Sequence, residues 1–176
     1  MMSRREVLHI GIAFVVLTIT AGFYAIIKGD YAAITMVPFF SALILATNIL
    51  AKKIAARSLD ADVEHEIWLW SRFGLKPGHH TAKPVPLGAI LPLVISAFSL
   101  GVIKCMTLLT YETSALKRRA ARRFGPYSFT EITDWHTALI GTAGIGATLL
   151  LAFISYFIPG LEGLPTLATY YAFWNI

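Results

Sequence analysis

Hydrophobic and polar positions along this chain fall into long blocks rather than a short alternation. Val7 to Ile27 carries no formal charge and is bracketed by Arg4, Arg5 and Glu6 before it and by Lys28 and Asp30 after it. At about 1.5 Å per residue this run reaches about 31 Å, the depth of a bilayer's hydrocarbon core. A cleavable signal peptide is the rival reading, but the run is longer than an h-region of about 7–15 residues and Glu6 sits in its n-region. Tyr31 to Ala51 is a second uncharged run, ending at Lys52 and Lys53. Pro38 predicts a kink within it, which neighbouring helices in a membrane accommodate. The link Lys28-Gly29-Asp30 is short enough to force an antiparallel helical hairpin. Trp135 to Ile158 predicts a third span, and Gly141, Gly144 and Gly146 give it a face that another helix can approach closely. After the turn at 159–165, a fourth apolar helix begins near Thr166 and runs to Ile176, too short to span, as expected of a chain cut in mid-helix.

The segments between these runs are of two kinds. Residues 52–83 form a polar loop with Lys52, Lys53, Arg57, Arg72, Lys76 and Lys83 against four acids. There Asp60, Asp62, Glu64 and Glu66 alternate with Ala61, Val63, His65 and Ile67. A period of two predicts a short, half-exposed strand at the membrane surface near 60–68. Residues 112–134 form a second polar loop containing Lys117-Arg118-Arg119 and Arg122-Arg123. Between the two loops, 84–111 is apolar but interrupted by Pro84, Pro86, Gly88, Pro92 and Gly101. If it were an ordinary span, the two basic loops would lie on opposite faces. The excess of Lys and Arg in cytoplasmic loops places both on one face, which makes 84–111 a re-entrant or broken segment. The alternative is a true helix with one misplaced basic loop.

Composition agrees with this pattern and narrows the class. The chain has 176 residues, of which 56% are hydrophobic and 14% charged, and its mean hydropathy is +0.66. A soluble domain carries about 25% charged residues, so this chain is not expected to be a soluble globular domain, a disordered segment or a nucleic-acid-binding module. The expected fold class is an all-α polytopic membrane protein of three or four transmembrane helices forming a single domain over 1–176. Membrane lipids are its expected partners, together with transmembrane segments of other proteins. Its expected residence is a prokaryotic cytoplasmic membrane, with the N-terminus cytoplasmic. The single cysteine, Cys105, excludes a disulfide framework and any multi-cysteine metal site.

Candidate chemistry is sparse. His65-Glu66 begins like a zinc protease motif, but Leu69 stands where the second histidine ligand would be needed one helical turn on. His79 and His80 are most simply solvated, and the acids at 60, 62, 64 and 66 lie in a row rather than in the looped oxygen cage that calcium needs. Asp134, Trp135 and His136 open the third span. The ionisable pair are functional candidates, while the simpler reading is Asp134 as an N-cap and Trp135 as an interfacial anchor. Lys104 lies within the apolar 84–111 region, placed to snorkel or to meet a lipid headgroup.

The order of the pieces resembles the site-2 protease family of intramembrane zinc metallopeptidases. The resemblance runs over about residues 40–176. It rests on Ala51-Lys52-Lys53-Ile54-Ala55-Ala56-Arg57, on Asp62 to Trp68, on Trp70, Arg72, Phe73 and Gly74, and on Lys83-Pro84-Val85-Pro86-Leu87-Gly88. Thr133-Asp134-Trp135 and the ending Tyr171-Ala172-Phe173-Trp174-Asn175-Ile176 complete it. The family continues such an ending with a Leu-Asp-Gly motif that supplies the third zinc ligand. In this register the family's first zinc histidine falls on Asn48, its catalytic glutamate on Ile49 and its second histidine on Lys52. Isoleucine is no general base and an ammonium repels Zn²⁺. The resemblance therefore implies a degenerate member with no catalytic residue, metal or cofactor, which binds membrane proteins without cutting them. An active peptidase using zinc, or an unrelated small membrane subunit or lipid-binding protein, are the alternatives.

Overall fold

The computed structural model describes residues 2–72, 80–116 and 132–175. Helix α1 (Arg4–Lys28) starts where the Ser3 side chain accepts the backbone N–H of Glu6 at 3.1 Å, a serine cap with glutamate at its third position. It ends at Gly29, whose left-handed φ of 69° costs a glycine little. Asp30 then caps α2 (Tyr31–Ser58) by accepting from Ala33 N at 3.2 Å. The hairpin is therefore closed by two residues. Helix α2 runs seven residues past the expected limit at Ala51, so 52–58 are helix and not polar loop. Charge at Lys52 and Lys53 ends the hydrocarbon run, but Lys, Ala and Arg are all good helix formers and the helix continues.

Strand β1 (Ala61–Ile67) follows, then β2 (Trp70–Arg72), β3 (His80–Val85), α3 (Leu87–Phe98) and β4 (Leu109–Ala115). β1 pairs antiparallel with β4, His65 opposite Tyr111 and Ile67 opposite Leu109. β2 pairs antiparallel with β3. Ala61, Val63, His65 and Ile67 are buried while Asp62 and Glu64 are exposed. The expected loop at 112–134 thus begins as strand, and 84–111 is not one element. It contains the end of β3, a twelve-residue helix, a turn at Leu100 and Gly101 with φ of 53° and 76°, an extended return and the start of β4.

That excursion leaves and returns at one place. Gly88 N donates to Trp68 O at 2.9 Å, and Trp68 N donates to Leu108 O at 3.1 Å. Its turn rests on the far part of α1, where a Cβ on Gly101 would collide with the backbone of Tyr24. Helix α4 (Asp134–Tyr156) packs on α2, and α5 (Gly163–Trp174) packs on α4. The main core gathers Leu17 of α1, Ile44 of α2, and Leu164, Ala168 and Tyr171 of α5, all nearly free of solvent contact. The fold is mostly helical, and α1, α2 and α4 are each long and apolar enough to cross a membrane by length and composition.

Candidate functional site

One face of α2 presents Asn48 and Lys52, four residues apart, to α4. The Asn48 amide donates to Thr148 Oγ1 at 3.1 Å, and that hydroxyl donates to the Gly144 carbonyl at 2.8 Å. Lys52 Nζ donates to Asn175 Oδ1 at 3.2 Å, just past the end of α5, and lies 4.5 Å from the ring centre of Tyr111 on β4. Tyr111 in turn donates its hydroxyl to Thr137 O at 3.0 Å. Asn48 and Lys52 are 1% and 2% exposed, so these contacts replace water rather than supplement it.

Two of the three glycines in α4 make this arrangement possible. A Cβ on Gly144 would stand 2.6 Å from Lys52 Cε and 3.1 Å from Asn48 Nδ2, and one on Gly141 would collide with the Tyr111 hydroxyl. Gly146 faces open space. The small-residue face thus receives long polar side chains from α2 and β4 at two of its positions.

Beside this centre lies an ionic cluster. Lys53 Nζ is 2.7 Å from Glu6 Oε1, and His65 Nδ1 is 3.1 Å from the same oxygen. The cluster ties the start of α1 to the end of α2 and to β1. His65 is 1% exposed, and its buried Nε2 has no hydrogen bond among the described residues. Burial holds the imidazole below its ordinary value of 6.5, aided by the positive charges of Lys52 and Lys53 and opposed by Glu6.

The residues singled out from sequence separate in space. Asn48 and Lys52 share the buried centre, whereas Ile49 turns away into an apolar groove of about 520 Å³ between α1 and α2, beside Gly11, Phe14, Ala42 and Ala46. Lys104 is remote from them, in the extended return, with its ammonium 6.0 Å from the Tyr170 ring centre. Asp134 is the first residue of α4 and exposed, and Thr133 is the N-cap, one residue earlier than expected. His136 Nδ1 is hydrogen-bonded to Thr133 Oγ1. His65 belongs to the ionic cluster, and His80 to β3. His79 and the two basic runs in 117–123 lie outside the described residues. Among the described residues no three His, Cys, Asp or Glu side chains converge as a metal site would need.

Sequence reasoning missed Glu6, Tyr111, Thr148 and Asn175. For Thr148 one signal was available, since Thr148 and Gly144 stand four apart on α4 and match Asn48 and Lys52 on α2; for Glu6, Tyr111 and Asn175 the sequence offers none.

The class these features define is a helical protein with three helices able to cross a membrane and a buried polar layer between helices and a small sheet. No family model, curated protein or solved structure matches the chain.

Proposed function

We propose that this chain is a non-catalytic, site-2 protease-like integral membrane protein that binds membrane proteins or their transmembrane segments. The observation that carries this reading is the surrounding of Lys52. A catalytic zinc needs about three protein ligands and an open position for water. At the corresponding place this chain buries an ammonium against Asn175 Oδ1 and the Tyr111 ring, and gives the neighbouring Asn48 amide to Thr148. A cation built into the fold opposes a second cation there. Ile49, in the register of the family's glutamate, instead lines the apolar groove between α1 and α2, a surface suited to an apolar transmembrane segment.

The same reading treats 84–111 as re-entrant. Its support is that Gly88 and Leu108 both bond to Trp68, so the chain leaves and rejoins the sheet region on one face. With Glu6 against Lys53 and His65, the N-terminus and the end of α2 also share that face. The positive-inside rule makes this face cytoplasmic, in a prokaryotic cytoplasmic membrane, with β1 at the bilayer surface. The test is metal analysis of the purified full-length protein, with incubation against a single-span membrane substrate. Substoichiometric zinc and an intact, co-purifying substrate are expected. Stoichiometric zinc lost on changing Asn48 or Lys52, together with cleavage, would favour an active peptidase.

A further inference from the structure

A second groove, of about 830 Å³, runs between α4 and α5 on the side away from the ionic cluster, and the return segment 102–104 closes its third wall. Its size is that of a ligand site, about 300–1,000 Å³. Leu149, Phe153 and Tyr156 line it from α4, Thr166 and Tyr170 from α5, and among the described residues Lys104 is the one charged residue on its wall. Lys104 makes no ion pair or hydrogen bond among the described residues; its ammonium lies 6.0 Å from the Tyr170 ring centre, and the lysine shares an adjoining cavity with Tyr24. That cavity is also bordered by Lys28, Asp30 and Glu162, the residues of the two links at the end of the molecule opposite Glu6. Asp30 there is committed to capping α2.

The groove therefore has a direction. Its charged end lies toward the links, near the finish of α4 at Tyr156 and the start of α5 at Thr166. Its other end, at Leu149 and Trp174, lies two to three helical turns deeper. An acyl lipid in one leaflet has the same polarity, with its headgroup at the membrane face and its chain toward the midplane. An apolar transmembrane helix would offer Lys104 nothing, whereas the phosphate of an anionic lipid, with no choline cation beside it to compete, would satisfy the ammonium by a charge-assisted hydrogen bond. We propose that the groove between α4 and α5 is a binding site for an anionic phospholipid of the leaflet on the link side, its phosphate on Lys104 and one chain along Leu149 and Phe153. This site is independent of the polar layer and of whether the chain is a protease relative.

Native mass spectrometry of the full-length protein, with phosphatidylglycerol and phosphatidylcholine of identical chains, tests it. The wild type is expected to retain phosphatidylglycerol at least about tenfold better, which corresponds to about 1.4 kcal/mol. Lys104→Gln should abolish the preference and Lys104→Arg should keep it. Leu149→Trp, which fills the groove but leaves the lysine, should lower retention of both lipids. Glycerol phosphate without chains should fail to compete. Equal retention of the two lipids by the wild type, or an undiminished preference in Lys104→Gln, would overturn the assignment. So would full lipid retention in Leu149→Trp.

Discussion

Lys52 is a primary ammonium at 2% exposure with an amide oxygen and an aromatic face for company, and no carboxylate within ion-pair distance among the described residues. Desolvating a charge without an opposite charge beside it is costly, and replacing a buried ionic group with an apolar one of similar volume is often neutral or stabilising. Lys52→Met combined with Asn175→Leu, which keeps the stem that fills the space over Gly144 and leaves no buried amide unpaired, is expected to raise thermal stability in detergent by about 1 kcal/mol. A lower melting temperature in this variant would show that the ammonium is held by more than Asn175 and Tyr111. His65 acts in the opposite direction as the solution is acidified. Its folded value lies below 6.5, so the unfolded chain binds the proton first. Its stabilising contribution is complete above about pH 6.5 and is lost as pH falls through the folded value. Glu6, Lys53 and Lys52 are the charged groups that set this balance. Melting temperatures measured between pH 5 and pH 8 (about the range in which histidine changes charge) should fall on the acid side in the wild type, and His65→Asn should flatten that fall.

At the scale of elements, uncharged run length located α1, α2 and α4 because a bilayer demands a minimum number of apolar residues. The ends were less legible. Lys52 to Ser58 continue α2 because helix propensity ignores the boundary of the hydrocarbon, and Ala56, at 1% exposure, packs against the β1–β4 sheet. The path of 84–111 was still harder to read, since prolines and glycines announce interruption without saying where the chain goes. Its route depends on two backbone hydrogen bonds to Trp68, which no local pattern encodes. Gly88 is the narrow point, because a Cβ there would collide with the Leu108 carbonyl and stand 2.9 Å from Trp68 N. Backbone on both sides cannot yield as a side chain can, so Gly88→Val is expected to cost about 3 kcal/mol or more, the range of overpacked and strained positions. Gly146→Val, which meets open space, serves as the control in the same thermal scan. Single cysteines at Lys83 and Glu112 should label from the same face with an impermeant maleimide. Labelling from opposite faces would make 84–111 a true span.

Taken as a whole, the molecule places its polar chemistry where α2, α4, the end of α5 and β4 converge, and of the side chains that meet there, Asn48, Lys52, Tyr111, Thr148 and Asn175, only the first two were named from sequence. Asn48 and Lys52 stood out because the resemblance puts the family's two zinc histidines at those positions. Thr148 and Asn175 did not, since a threonine in a span bonds its own helix and an asparagine after a helix reads as an end. Their meeting requires the packing of α2 on α4 and α4 on α5, a long-range property. This convergence can be probed by building what the chain lacks. Asn48 Nδ2 and Lys52 Cε flank one point above Gly144, and Lys52 Nζ reaches Asn175 Oδ1 at 3.2 Å. Histidines at 48 and 52 would face that point from one turn of α2, and an aspartate at 175 would approach from the end of α5. Zinc takes two imidazoles and one carboxylate in tetrahedral sites with water as the fourth ligand. The triple variant Asn48→His, Lys52→His, Asn175→Asp is therefore expected to bind one zinc per chain, at least about tenfold tighter than the variant lacking the change at 175. Inductively coupled plasma mass spectrometry of the folded, dialysed proteins gives the stoichiometry, and competition with a chelating dye gives the affinity ratio. Equal affinity with and without the aspartate would mean that residue 175 does not face the pair on α2. The convergence of α2, α4 and the end of α5 at this centre would then be wrong.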